Sequence, residues 1–221
     1  MIAEDSTELR RAVIATAVEM NAAGISVNTS GNVSARCIRG TRLGFAITPS
    51  ALPYASLTTS DLVFIDDAEA TTGARRPSSE WRFHFAIYAA RADVGAIVHT
   101  HSPHATALAC QQLDIPSFHY MVAVAGGSDI RCAPYATFGT QELADHALTA
   151  LKNRKACLLA HHGVIACGDD LYAAFALALE VENLARTYIA VRSIGTPKLL
   201  ADNEMKRVLE RFATYGQHAD D

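Results

Sequence analysis

The stretch Gly95-Ala96-Ile97-Val98-His99-Thr100-His101-Ser102-Pro103-His104 carries an apolar run into three histidines and a proline. Small and β-branched residues before His99 read as a buried strand. Side chains two apart on a strand share a face, so His99 and His101 project together from the strand end, as ligands of one metal ion must. His162 is the natural third ligand. It follows the apolar run Ala156–Ala160, and Gly163 allows a sharp turn beside it. His161 is the rival. Adjacent strand residues face opposite sides, so only one of the two can join, and His162 is favoured. Three histidines with a fourth position open is the pattern of a catalytic zinc site, whereas structural sites are closed, usually with cysteine. The H-E-x-x-H spacing of metalloproteases is absent. Pro103 stands where the H-x-H-x-D-H hydrolase pattern needs its aspartate.

Beside such a metal, Glu80 is the best general acid/base. It follows Ser78 and Ser79 at an expected helix start, where hydroxyls and free backbone N–H groups make an anion site. The turn Ser30-Gly31-Asn32 is a second donor-rich loop that permits close approach. Two such loops and a metal fit a small phosphorylated substrate. A Schiff-base mechanism needs a desolvated lysine. The only lysines are Lys152, Lys155, Lys198 and Lys206. Lys155 precedes a strand beside Arg154 and the others read as exposed, so a metal is the better electrophile.

Alternating helices and strands must position these residues. Residues 4–23 repeat Leu9, Val13, Ala17 and Met20 among charged residues, an amphipathic helix ended by Gly24. Strands are expected at 33–38 and 43–48, split by Arg39-Gly40, and at 62–65. A second helix starts near Ser78 or Ser79, either of which can cap it, with Glu80 in its first turn. It packs Trp81, Phe85, Tyr88 and Ala89 inward. The strand at 95–100 follows, then a short helix from Pro103 to about Gln111. Residues 117–135 read as irregular and 139–151 as a helix. A buried strand at 156–160 and helices at 171–192 and 202–212 complete the chain. The alternation gives an α/β sandwich with helices covering a central sheet. Strand order and direction stay open at this level.

The chain has 221 residues, 50% hydrophobic and 19% charged, which fits one globular domain over residues 1–221. Net charge is −4, and no run of Lys and Arg is longer than a pair such as Arg10-Arg11 or Arg75-Arg76. No nucleic-acid partner is expected from that. No apolar run reaches the roughly 18 residues of a membrane span, and the acidic start lacks signal-peptide order. The 5 cysteines are odd in number and lack C-x-x-C spacing. They read as reduced core residues of a cytoplasmic protein.

Taken together and in order, the motifs resemble the class II aldolase/epimerase (adducin-like) family, nearest to its members that cleave L-fuculose 1-phosphate. They are Ser30-Gly31-Asn32-Val33-Ser34, Ile47-Thr48-Pro49-Ser50, Pro77-Ser78-Ser79-Glu80, His99-Thr100-His101, His119-Tyr120-Met121, Cys132 through Thr140, His162-Gly163 and Thr214-Tyr215-Gly216. They cover nearly the whole chain. The resemblance implies a single-domain three-layer α/β/α sandwich with a central mixed, largely antiparallel sheet. It implies zinc, or another divalent metal such as manganese or cobalt, on His99, His101 and His162. Glu80 would be an occasional fourth ligand and the proton carrier. It places substrate phosphate at Gly31, Asn32, Ser50, Ala51, Ser78 and Ser79. Tyr120 would handle the aldehyde proton from a neighbouring subunit, Phe138 and Tyr215 would line the aldehyde pocket, and the assembly would be a C4 homotetramer with sites between subunits. The reaction implied is reversible cleavage of a ketose 1-phosphate to dihydroxyacetone phosphate and a short aldehyde such as L-lactaldehyde. Two departures stand out: Ala51 replaces the glycine usual in the fuculose enzymes, and His161 stands where the family commonly has Asn or Gln.

The same resemblance admits three alternatives. A ribulose-5-phosphate 4-epimerase would put a carboxylate near Tyr120, but Ile115 to Ser128 contains no Asp or Glu. A sugar-phosphate dehydratase belongs to the same superfamily. A non-catalytic adducin-like domain typically loses the metal histidines, which are retained here.

Overall fold

Within the strand Ala96–Thr100, Ala96 and Val98 join one hydrophobic cluster and Ile97 joins another. The same alternation runs through residues 63–65, 156–159 and 164–167, so the central sheet is covered on both faces. The computed structural model describes residues 2–214. In chain order the elements are β1 (Ala3–Glu4), α1 (Thr7–Ala22), β2 (Asn32–Arg39), β3 (Arg42–Ile47), β4 (Val63–Asp66), β5 (Thr71–Thr72), α2 (Trp81–Ala90), β6 (Ala96–Thr100), α3 (Pro103–Cys110), β7 (Cys132–Ala133), α4 (Gln141–Ala150), β8 (Ala156–Leu159), β9 (Gly163–Gly168), α5 (Leu171–Ile194) and α6 (Asp202–Thr214).

The sheet runs β5-β4-β3-β2-β6-β9-β8-β7, with β1 added beside the far end of β2. Only β1–β2 and β7–β8 are parallel; the other pairings are antiparallel. Helices α1, α3, α5 and α6 bury Val13, Met20, Leu108, Leu184 and Met205 against one face. On the other, α2 and α4 bury Phe83, Ile87, Leu143 and Ala147. The expected three-layer α/β/α sandwich with a mixed, largely antiparallel sheet is what forms.

Several local expectations need correction. The helix expected from residue 4 starts at Thr7, and Ser6 caps it by accepting from Leu9 N. Neither Ser78 nor Ser79 caps α2 through its side chain; Glu80 occupies the cap position, and Ser78 Oγ accepts from the Glu80 N–H. The inward face of α2 is Phe83, His84, Ile87 and Tyr88, while Trp81 and Phe85 are half-buried and Ala89 is exposed. The span 117–135 holds a short 3₁₀ helix at Tyr120–Ala125 and the strand β7. Strand β9 leaves no clear sequence signal because it follows β8 after a three-residue turn and is buried on both faces, so it shows no polar alternation. His104, given no role by sequence, pairs with Glu182 of α5, which also accepts from the His104 and Ala105 N–H groups at the open end of α3.

Candidate metal centre and active site

The antiparallel register sets Asn32 of β2 opposite His99 of β6, and Thr100 opposite Val164 of β9. His99 is fully buried, and its Nδ1 lies 2.8 Å from the Val164 carbonyl oxygen. A carbonyl only accepts, so Nδ1 carries the proton and Nε2 presents a lone pair. That Nε2 lies 3.0 Å from Nε2 of His101, just past the strand end. His162 arrives from the β8–β9 turn, whose left-handed residue is His161 at φ 55°. His162 is therefore not at a strand end, and Gly163 is not the turning residue. Gly163 is needed for space: a Cβ there would lie 2.3 Å from Thr100 O. The turn sends His162 inward and His161 to Gln112 and Tyr135.

Glu80 reaches the same point from the start of α2. Its Oε1 is 2.9 Å from His162 Nε2, and its Oε2 is 3.1 Å from His99 Nε2. Oε1 is buried but off the hydrogen-bonding line. One ligand atom from each of Glu80, His99, His101 and His162 lies within 4.8 Å of all the others. Imidazole nitrogens facing each other, plus a buried carboxylate oxygen lacking a donor, are a donor set that fits a divalent cation. Burial by itself raises the carboxyl pKa, but attraction to His99 and His162 outweighs it, so Glu80 stands below the usual carboxylate range. Burial, then repulsion from His99 and His162, lowers His101 to about 3, which keeps its ring neutral and able to ligate.

Above this cluster opens a cleft of about 470 Å³. Gly31, Asn32, Ser50, Ala51, Ser78, Ser79, Glu80, His101, His162 and Phe138 all line it. The loops carrying the serines are tied together: Ser78 N donates to Thr48 O, Ser50 N to Arg76 O and Ser50 Oγ to Pro77 O. The N-terminal end of α2, the positive end of its dipole, faces the same space. Ala51 adopts φ 59°, the conformation that glycine takes most easily. Tyr120 is 50% exposed, stacked on Phe212, and absent from the lining of this cleft. Tyr215 lies outside the described residues.

The sequence pattern of the class II aldolase and adducin N-terminal domain matches residues 11–189. The chain belongs to that family. It is 54% identical over 211 residues to a 5-methylthioribulose-1-phosphate/5-deoxyribulose-1-phosphate aldolase of Rhodospirillum rubrum, covering 96% of this chain and 94% of that one. It is 49% identical over 213 residues to the L-fuculose phosphate aldolase of Escherichia coli K12, covering 96% and 97%. A solved L-fuculose 1-phosphate aldolase superposes with TM-score 0.90 at 39% identity, over 94% of this chain and 97% of that one. The chain is thus a lyase of the metal-dependent class II aldolase type.

In this class II aldolase the structure also brings forward residues that sequence reading passes over. Tyr135 and Ala136 line the cleft with Phe138, and His161, weighed in the sequence only as a rival ligand and a departure, lines it too. The first two sit inside the quoted Cys132–Thr140 motif, so the signal is present. Buried Tyr54 donates its hydroxyl to Gly31 O at 2.6 Å and holds that loop; nothing in its sequence surroundings announces it. Asn32 touches Glu80 directly, its Nδ2 3.0 Å from Oε2 and 3.0 Å from Ser78 Oγ. Among the described residues no helix is long and apolar enough to cross a membrane.

Proposed function

We propose that the chain, working as one domain over residues 1–221, reversibly cleaves L-fuculose 1-phosphate or a close deoxy-ketose phosphate. The products are dihydroxyacetone phosphate and a short aldehyde such as L-lactaldehyde. The observation that carries this reading is the convergence of three imidazoles and one carboxylate on the floor of a cleft rimmed by serine, glycine and asparagine loops. His99, His101 and His162 would hold zinc, with Glu80 able to join them as an occasional fourth ligand. The bound ion supplies an electrophile for the negative charge that develops as the C3–C4 bond breaks.

Gly31, Asn32, Ser50, Ala51, Ser78 and Ser79 receive the phosphate, assisted by the end of α2. Glu80 carries the proton at the carbon that loses the aldehyde, from a position fixed against His99, His162 and Asn32. Tyr120 serves the aldehyde oxygen of a neighbouring subunit in a C4 homotetramer. Its exposure and its absence from its own chain's cleft support that assignment. Phe138 and Tyr215 line the aldehyde side. Beside Phe138, Tyr135 and Ala136 make that wall largely apolar, which suits a methyl or methylthio end. The substrates named for the Rhodospirillum rubrum relative, 5-methylthioribulose 1-phosphate and 5-deoxyribulose 1-phosphate, therefore belong in the test beside L-fuculose 1-phosphate. The cytoplasm is the proposed compartment.

The test is dihydroxyacetone phosphate release from these three substrates, with metal content measured before and after exhaustive chelation. Release that falls on chelation and returns with added zinc supports the reading. Activity surviving complete metal removal overturns it.

A further inference from the structure

Behind Glu80, on the side away from the cleft, lies a row of polar groups in the otherwise apolar layer between β2 and α2. The face of β2 toward α2 carries Asn32, Ser34 and Arg36 at strand spacing, while Val33, Ala35 and Cys37 enter the opposite core. Helix α2 answers with His84 and Tyr88, and Glu80 precedes them by the same interval of four. Two strand residues advance about 6.6 Å and four helical residues about 6 Å, so the two rows stay in step. Asn32, Ser34, His84 and Tyr88 are all more than nine-tenths buried.

The contacts form one continuous chain. Asn32 Oδ1 is next to His84 Nε2 at 2.5 Å, His84 Nδ1 is 2.7 Å from Ser34 Oγ, and Ser34 Oγ is 2.8 Å from the Tyr88 hydroxyl. The guanidinium of Arg36 lies 4.8 Å from the centre of the Tyr88 ring. Acceptor and donor roles follow from the charged end. Glu80 is an anion, so the Asn32 amide must turn its NH₂ toward Oε2 and Ser78 Oγ, and its carbonyl toward His84. His84 must then carry its proton on Nε2 and accept on Nδ1. Ser34 donates to Nδ1, and its oxygen accepts from the Tyr88 hydroxyl. Every donor points toward Glu80.

We propose that Ser34, His84 and Tyr88 are positioning residues that act on Glu80 through Asn32, a one-way chain of hydrogen bonds that holds the carboxylate oriented for proton transfer. The proposal rests on the acid/base reading of Glu80. Burial lowers His84 to about 3, in keeping with a neutral ring inside the chain. Mutual satisfaction of buried polar groups would not require one direction; service to a single anion does.

Residue-selective ¹⁵N-histidine NMR of the metal-loaded protein reads the tautomer, with the His84 resonance identified by its loss in His84→Gln. A proton on Nε2 alone is expected; an Nδ1–H tautomer or an imidazolium overturns the proposal. Kinetics per bound metal give the second arm. His84→Leu should lower kcat about 10-fold or more with KM within about 2-fold, and His84→Gln, which can donate at one end and accept at the other, should restore most of it. Should His84→Leu fail to fold, Ser34→Ala and Tyr88→Phe carry this arm, with a kcat loss at near-constant KM expected. Unchanged kcat in these variants overturns the proposal. In a Glu80→Gln background the same changes should add no further loss, whereas an equal loss in both backgrounds overturns action through Glu80. Near-normal turnover of Glu80→Gln alone overturns the acid/base reading, a result distinct from each of the others.

Discussion

Gly31→Ala tests the close approach on which the metal centre is built. Gly31 has φ +104°, and a Cβ placed there would lie 2.5 Å from the carbonyl oxygen of His99. Ordinary contact begins near 3.4 Å, so about 0.9 Å must open between the start of β2 and the strand that carries a ligand. The left-handed backbone costs about 1–2 kcal/mol, and forcing the strands apart costs about 1–3 kcal/mol more. The combined loss of roughly 2–5 kcal/mol corresponds to a fall in Tm of roughly 4–20 °C for a chain of this size. Gly40 is the control: its φ is +64°, and a Cβ there would meet nothing within 4 Å. Gly40→Ala should cost only the backbone part, about 1–2 kcal/mol, and leave metal binding intact. Thermal unfolding and metal stoichiometry of the two variants, purified in parallel, make the comparison. If Gly31→Ala is as stable as Gly40→Ala and binds metal as fully, the close approach is not what sets the ligand strand in place.

Three further outcomes are expected. His84 takes up its proton near pH 3 when folded and near its ordinary 6.5 when unfolded. The unfolded state therefore binds more protons between those values, and stability falls as pH drops through them, by up to about 1.4 kcal/mol per pH unit for this group. Urea midpoints of chelated His84→Gln should fall less steeply from pH 7 to 5 than those of the unmutated chain; parallel slopes would show that His84 is charged in the fold. Glu182→Ala removes the acceptor for two N–H groups of α3 and should cost about 1–2 kcal/mol by chemical denaturation; an unchanged midpoint would mean that water satisfies them. Under the proposed inter-subunit site, which would pair one chain's metal ligands with another's tyrosine, Tyr120→Phe and His162→Ala, each weakly active alone, should recover activity when co-expressed. Purely additive residual activity would remove Tyr120 from a shared site.

The metal cluster is legible in the sequence because strand geometry leaves a signature in spacing: His99 and His101 are two apart behind an apolar run. Strand alternation admits only one of His161 and His162, yet the structure splits the pair by a different device, a left-handed backbone at His161. Local pattern cannot show this because β9 hides its start among residues buried on both faces. On α2, Trp81, Phe85, Tyr88 and Ala89 are expected inside; of these Tyr88 is buried, beside Phe83, His84 and Ile87. That face meets both the apolar cluster that holds Phe83 and Ile87 and the polar row on β2, a partner some 50 residues away in sequence. The two-residue strands β1, β5 and β7 are held by neighbours and carry too few residues for any period to register. The departure at Ala51 has a physical counterpart, since its backbone does take the left-handed conformation.

The side chains gathered at the metal centre are drawn from positions 80 to 162 and reach it through the pairing of β6 with both β2 and β9. No short contiguous peptide of this chain holds more than two of them, so a growing or half-folded chain offers an ion only weak, transient grips. Capture of an ion by this proposed set would have to wait until distant strands have registered, the slow part of forming such a sheet. If these four side chains hold the ion as proposed, it would seal finished molecules and not template unfinished ones, and occupancy would count the chains that reached the native arrangement.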